Sequence, residues 1–250
     1  MPDTSIASHR GGAFLWPENS LLAFHRALGW AADQVEFDVH ASADGEPVVF
    51  HDATLDRMTD GAGPLSALPW AALRQLRVKG TGGEGIPHLA EVAALVGASP
   101  QLLRMEIKSD REGRPYAGLV GRAAAVLGAH RARTVFMSFE AATVAEAAAL
   151  GGFAGRVLLL EGRAVRGLRP ADAAALCRSC GADELGVHIG VAGERLRDAL
   201  RGEGRRLSVW GANHAPTIMA ALALDVDALA TDDPPLALRL RAAAAEMDER

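Results

Sequence analysis

A TIM-type (β/α)8 barrel with a small insertion after its second strand is the fold class this sequence predicts. Two observations carry that expectation. Short apolar, β-branched runs alternate with Ala/Leu/Arg-rich stretches of helical character along the whole chain, the rhythm of parallel strands joined by helical crossovers. Eight such units fit into 250 residues, and that length suits one closed barrel. An open doubly wound sheet shares the rhythm and is the competing architecture.

The strands are expected, in order, at Ser5–His9, Val35–Val39, Leu102–Lys108, Thr134–Ser138, Arg156–Leu160, Leu185–Ile189, Leu207–Trp210 and Ala228–Asp232. Helices are expected at Asn19–Ala31, Leu89–Val96, Tyr116–His130 and Glu140–Leu150. Four more follow at Pro170–Gly181, Gly193–Gly204, Ala215–Leu224 and Pro235–Met247. No linker or low-complexity tract interrupts this order, so residues 1–250 read as a single barrel domain. Residues from about 52 to 88 read as an insertion at its mouth, where long insertions in such barrels usually act.

The composition, 49% hydrophobic and 23% charged, is that of an ordinary globular protein. A net charge of -5 argues against a nucleic-acid or anionic-membrane surface, both of which need clustered basic residues. The opening MPDTSIASHRGG lacks a basic-then-apolar signal pattern, and no apolar run approaches the roughly 20 residues that cross a bilayer. A cytoplasmic location without a transmembrane segment is expected; the oligomeric state is left open. Cys177 and Cys180 form CRSC on a helix ending at Gly181. With no further ligands nearby they read as a structural pair.

Asp44-Gly45 separates the strand-like Val35–Val39 from Val48–Phe50, a hairpin signal. A turn centred there brings His51 opposite Asp38. Glu36 and Asp38 share one strand face, and Glu106 and Lys108 repeat the i, i+2 relation on the third strand. His9-Arg10 ends the first strand, Trp210 the seventh and Thr231-Asp232 the eighth. Both faces of a barrel strand are covered, so carboxylates there need a partner or a metal. The carboxyl ends of barrel strands are where active sites lie.

Each residue also has a plain structural reading. Glu36 or Asp38 can pair with an internal Arg or Lys, and Glu106 with Lys108. A lone His9 or His51 reads as a hydrogen-bonded histidine, His40 as structural and Trp210 as packing. Their convergence points further. Three carboxylates without cysteines suit a hard divalent cation, Mg2+ or Ca2+. Arg10 and Lys108 have the charge to hold an anionic oxygen, and two histidines suit complementary proton transfers. Together they describe cleavage of a phosphate diester.

The chain resembles the glycerophosphodiester phosphodiesterase family. His9-Arg10-Gly11-Gly12 with Pro17-Glu18-Asn19-Ser20, then Glu36-Phe37-Asp38-Val39, Asp44-Gly45 and Val48-Val49-Phe50-His51-Asp52, are similar to its signature blocks. Leu55–Gly61, Ile86–Glu91, Glu106-Ile107-Lys108, Trp210–Asn213 and Thr231–Pro234 continue in order. The resemblance implies a TIM-like barrel that hydrolyses a small-molecule glycerophosphodiester to glycerol 3-phosphate and an alcohol. It implies His9 and His51 as the acid–base pair and Glu36, Asp38 and Glu106 as ligands of the cation. It further implies phosphate contacts for Arg10 and Lys108, a substrate-bordering Trp210, and supporting roles for Glu18 and Asn19. Ser20 and Met58 stand where Thr is usual, and Gly211-Ala212 replaces the usual Thr-Val after Trp210. The choice of alcohol is therefore left open.

The alternatives are a metal-dependent isomerase or aldolase on the same barrel, a lysophospholipase D-like phosphodiesterase, and a non-catalytic phosphodiester-binding barrel. The first needs no histidine pair and the last no proton carriers.

Overall fold

The computed structural model describes residues 4–248. The first three residues of the MPDTSIASHRGG segment, and residues 249–250 of the expected domain, lie outside them.

Nine strands form one sheet: β1 (Ser5–Ser8), β2 (Gln34–Ala41), β3 (Pro47–Val49), β4 (Leu102–Ile107), β5 (Thr134–Ser138), β6 (Gly155–Leu160), β7 (Glu184–His188), β8 (Arg206–Trp210) and β9 (Ala228–Thr231). Eight are parallel in the order β1-β9-β8-β7-β6-β5-β4-β2, and the β1–β2 pairing closes the ring. The expected barrel is the one observed, and the open sheet is excluded by that closure. The extra strand, β3, pairs antiparallel with β2 and lies outside the ring. No helix among the described residues is long and apolar enough to cross a membrane.

The helices are α1 (Leu21–Ala27), α2 (Trp70–Leu73), α3 (Leu89–Gly97), α4 (Leu119–Leu127), α5 (Ala141–Leu150), α6 (Gly162–Arg166), α7 (Pro170–Cys180), α8 (Glu194–Gly202), α9 (Ala215–Ala223) and α10 (Pro234–Asp248). Their apolar faces and the outward residues of the strands make one continuous core. On β2 and β4 the outward set is Val35, Phe37, Val39, Leu103, Met105 and Ile107, all buried. The alternate residues of the same strands, Glu36, Asp38, Arg104 and Glu106, are polar and point into the barrel.

Several boundaries moved. Helix α1 starts at Leu21, not Asn19, because Ser20 caps it by accepting the Ala23 N–H at 3.0 Å. Asn19 instead takes a left-handed φ of 53°. The expected Tyr116–His130 helix divides into α4 and a 3-10 turn over Gly128–Arg133, and α6 is an additional helix after β6. The hairpin register also needs correcting. The turn spends three residues, with Gly45 at φ 78° donating its N–H to Ser42 O at 2.9 Å, the type I turn plus bulge of three-residue hairpins. The extra bulge residue shifts the pairing to Val39↔Val49. Asp38 therefore faces Phe50, whose N–H donates to Asp38 O at 3.0 Å, and His51 lies one residue beyond.

Between β3 and α3 the chain runs irregularly around its own small core of Phe50, Leu55, Leu65, Leu73, Val78 and Ile86. That core holds the start of the segment, with His51, Asp52 and Arg57, against the carboxyl end of the barrel.

The barrel's amino-terminal end is filled by a buried polar network. Arg104 donates to Glu184, to Ser208 Oγ at 3.0 Å and to Gln34 Oε1 at 3.2 Å. Both Arg104 and Glu184 are buried. Burial alone would raise the Glu184 pKa, but the Arg104 charge outweighs it and the pKa falls. Removing one partner leaves a buried charge uncompensated, which costs about 3–5 kcal/mol. Arg104→Met is therefore expected to lose that much stability in urea unfolding. Arg104→Met with Glu184→Leu should recover most of it, and a double variant no more stable than the single one would contradict the assignment.

Candidate active site

The parallel register sets the site. Asp38 on β2 lies beside Glu106 on β4, and Glu36 beside Arg104, so the inward carboxylates come together at the carboxyl end. One carboxylate oxygen from each of Glu36, Asp38 and Glu106 lies within 4.8 Å of the others, and all three residues are buried.

Two cations answer them. Lys108 Nζ sits 2.7 Å from Glu106 Oε1 and 3.2 Å from Asp38 Oδ1. Arg10 donates its backbone N–H to Glu36 Oε2 at 2.8 Å, while its guanidinium lies 3.4 Å from Asp38 Oδ2 and 3.2 Å from Glu18 Oε1. Arg10 does this from a left-handed φ of 52°, a conformation that non-glycine residues adopt mainly where the surroundings impose it. Gly11 follows at φ 81°, where an added Cβ would stand 2.8 Å from Ala23 Cβ, so the turn packs directly on α1. The left-handed Asn19 places its amide flat against Asp38, donating to Oδ2 at 2.8 Å and accepting the Asp38 N–H at 3.2 Å.

Burial pushes all three carboxyl pKa values upward, but their partners differ. Lys108, His51 and Arg10 outweigh burial at Asp38 and hold it far below the usual carboxylate range. Glu36 is pushed up to about 7 by burial and by the neighbouring Asp38 charge. Glu106 is raised by burial and by Asp38, with Lys108 opposing. The partner of the buried Asp38 Oδ1 is the Lys108 ammonium at 3.2 Å. An all-oxygen set in which three carboxylates face two cations fits a hard divalent cation.

Each histidine has its own carboxylate. His9 Nδ1 donates to Asp232 Oδ1 at 2.6 Å, and Asn213 holds Asp232 by donating to Oδ2 at 2.5 Å and accepting its N–H at 2.9 Å. His9 Nε2 is 3.9 Å from Glu36 Oε2. Burial works to lower the His9 pKa, but Glu36 and Asp232 outweigh it and the value rises. His51 Nδ1 donates to Asp52 Oδ1 at 2.8 Å. Asp52 is already committed to Arg57, which donates to both its oxygens at 2.6 and 2.9 Å and to Glu18 at 2.6 and 3.0 Å. Burial first, with Lys108 and Arg10, keeps the His51 pKa low.

The acidic Glu18–His51–Asp52 group also lies within ligand distance, but the Arg57 guanidinium fills it. His9, Arg10, Glu36, His51, Glu106, Lys108 and Trp210 line one cavity of about 620 Å³. Asp38, Glu18 and Asn19 stand behind that wall. All ten expected site residues thus meet in one place.

The sequence model of the glycerophosphoryl diester phosphodiesterase family matches residues 9–236. The chain belongs to that family. A glycerophosphodiester phosphodiesterase of Caldanaerobacter subterraneus subsp. tengcongensis is 39% identical over 111 residues, 42% of this chain and 46% of that protein. Glycerophosphodiester phosphodiesterase 1 of Bos taurus is 46% identical over 72 residues, 29% of this chain and 22% of that protein. The matched region thus spans less than half the length of either relative. A crystal structure from Agrobacterium tumefaciens, provisionally named a glycerophosphoryl diester phosphodiesterase, superposes with a TM-score of 0.92 at 33% identity. That match covers 97% of this chain and 99% of the other. An Oleispira antarctica phosphodiesterase in complex with the product sn-glycerol-3-phosphate gives a TM-score of 0.83 at 26% identity, covering 94% and 96%.

Sequence reasoning passed over three residues that the fold brings to this cluster. Asp232 had a signal, a carboxylate ending the last strand, and Asp52 had one in its adjacency to His51. Arg57 had none, because only the folded insertion brings it to Glu18. His40 is structural, as expected. Its Nε2–H donates to His51 O and its Nδ1 accepts from Tyr116 Oη, each at 2.9 Å, which ties the His51 backbone to β2.

Burial lowers the His40 pKa from 6.5 to about 4. Unfolded, His40 takes up a proton near pH 6.5; folded, it does not until about pH 4. Its contribution to stability is therefore fully present above pH 6.5 and is lost as pH falls through that window, by about 2 kcal/mol at pH 5. The fall in unfolding free energy from pH 7.5 to 5 should shrink by about that amount in His40→Gln, and an unchanged fall would refute the burial account.

Proposed function

We propose that residues 1–250 form a single catalytic barrel, with residues about 52–88 inserted at its mouth. It hydrolyses glycerophosphodiesters to glycerol 3-phosphate and an alcohol by paired histidine acid–base catalysis that depends on a divalent cation. One observation carries the reading. His9 and His51, each with its own carboxylate, share a cavity with the Glu36–Asp38–Glu106 cluster and with Arg10 and Lys108. Membership of the family and the product complex of the Oleispira relative support the substrate class.

Glu36, Asp38 and Glu106 would hold Mg2+ or Ca2+, which supplies positive charge against the non-bridging phosphate oxygens when bound. Arg10 and Lys108 complete the anion site from either side, and Trp210 borders the substrate. The histidines divide the proton work by their surroundings. His9 lies between Glu36 and Asp232, which favour its protonated form, so it gives the proton to the departing alkoxide. With a cation on Glu36, the Asp232 hydrogen bond still supports that proton. His51 sits near Arg10 and Lys108, and its carboxylate is shared with Arg57. It therefore stays unprotonated and takes the proton from the attacking oxygen. Asn19 and Glu18 hold Asp38 and Arg10 in position.

A second reading has one observation in its favour. Phe14 and Leu15, in the loop after His9–Gly11, are 54% and 39% exposed, a surface on which an acyl chain could rest. Faster turnover of a lysophospholipid than of its deacylated glycerophosphodiester would select that reading.

Release of glycerol 3-phosphate should be measured from a panel of glycerophosphodiesters with Mg2+, with Ca2+ and with EDTA. Release that needs the metal is expected, and His9→Ala or His51→Ala should each lower kcat about 10²–10⁴-fold. Full turnover in EDTA would remove the cation from the mechanism, and near-normal kcat in His51→Ala would remove that residue from its role.

A further inference from the structure

In the half of the cavity away from the carboxylate cluster, Trp210 is the one residue given a part in the mechanism above. It is walled by Phe139 after β5, Glu161 after β6, His188 at the end of β7 and Trp210 at the end of β8. Around the barrel, β7 and β8 lie on the His9 side, with β8 next to β9, the strand that leads to Asp232. His51 lies on the opposite flank, beside Lys108 and Phe139. With the phosphate held by Arg10 and Lys108, an alcohol that occupies this half of the cavity extends along Trp210 and His188.

His188 is held there in a defined state. The Gly190 N–H donates to its Nδ1 at 3.0 Å, so the ring's own proton sits on Nε2. The ring packs edge-on against Trp210, 4.8 Å between centroids at 80°. No protein hydrogen bond uses Nε2 among the described residues. The indole Nε1 of Trp210 is buried without an acceptor, whereas His188 is only partly buried. A ring N–H that borders a cavity without a protein acceptor is free to meet a ligand oxygen.

Gly211 makes this arrangement possible. It has φ 75°, and an added Cβ would stand 2.6 Å from His188 Nε2 and 2.7 Å from Cδ2. The residue that stands where the family usually has Thr thus clears the space that the imidazole occupies. We infer that His188, admitted by Gly211, is a specificity-determining residue that donates from Nε2 to a hydroxyl oxygen of a polyol leaving alcohol. Glu161, exposed on the neighbouring strand end, accepts a hydroxyl proton from the same alcohol, and Trp210 and Phe139 cover its carbon skeleton. A quaternary ammonium alcohol offers no acceptor to His188.

The inference rests on the phosphodiesterase reading above, so its test uses two diesters with the same retained glycerol. One is the bis-glycerol phosphodiester and the other the choline glycerophosphodiester. The ratio of kcat/KM for the first over the second should exceed one in the native protein. It should fall about tenfold in His188→Phe, which keeps the ring packing, and be largely retained in His188→Gln, which keeps an N–H donor. Gly211→Ala should lower the ratio as His188→Phe does, with melting temperatures checking that each variant folds. Equal losses on both diesters would mean a packing role and overturn the inference alone, as would a native preference for the choline diester. No glycerol 3-phosphate from either diester would overturn the underlying reading and the inference with it.

Discussion

Three carboxylates inside a closed barrel, Glu36, Asp38 and Glu106, set the terms for everything around them. Bulk water does not solvate them, so the fold must supply cations and donors from several directions. Lys108 directly follows β4, the strand of Glu106, and Arg10 and Asn19 come from the β1–α1 loop. Both loop residues adopt left-handed backbone to reach the cluster. Ser20 then starts α1 immediately afterward, so the helix fixes the loop whose strain serves Asp38. The compensation is still incomplete: three carboxylates face two cations, and Glu36 remains proton-prone. A cluster left short of positive charge in this way is prepared for a cation in a way that a fully satisfied ion network is not.

The same accounting separates the two histidines. Both make a 2.6–2.8 Å contact to a carboxylate, so the dyads alone do not tell them apart. The difference lies one step outward. Asn213, a neutral amide, holds Asp232 and leaves its charge available to His9. Arg57 grips Asp52 and spends that charge. Two equivalent-looking pairs thereby take opposite preferences for the proton.

The barrel and its carboxylates were legible in the sequence because both follow strict local rules. Apolar runs alternating with helices specify parallel strands, and the i, i+2 spacing of Glu36–Asp38 and Glu106–Lys108 places each pair on one face. The hairpin was legible only to within one residue. Asp44-Gly45 signals a turn, but the bulge at Gly45 decides whether Phe50 or His51 faces Asp38, and the local sequence suits either count. Arg57 was not legible at all. Its partners Glu18 and Asp52 are joined to it by the tertiary packing of the insertion around Leu55, Leu65 and Leu73, which carries no short-range pattern. His188 was hidden for a related reason. Its place depends on a missing side chain at Gly211, and the substitution there was visible in the sequence while its spatial partner was not.

The lumen of the barrel is divided along its circumference into a charged side and an apolar one. On β2 and β4 the inward residues are Glu36, Asp38, Arg104 and Glu106. On β5 and β6 they are Val135, Met137, Val157 and Leu159, a small apolar cluster that Phe139 and Trp210 extend toward the mouth. Arg104 reaches across this divide toward Glu184 and Ser208 beneath the site. That contact spares the carboxylate cluster a third fixed cation, since Arg104 is consumed by Glu184 before it can neutralise Glu36 in the adjacent register. The charged side thereby keeps its surplus of carboxylates. The apolar wall carries His188 and Glu161 at its rim, and the two sides of one cavity present opposite chemistry.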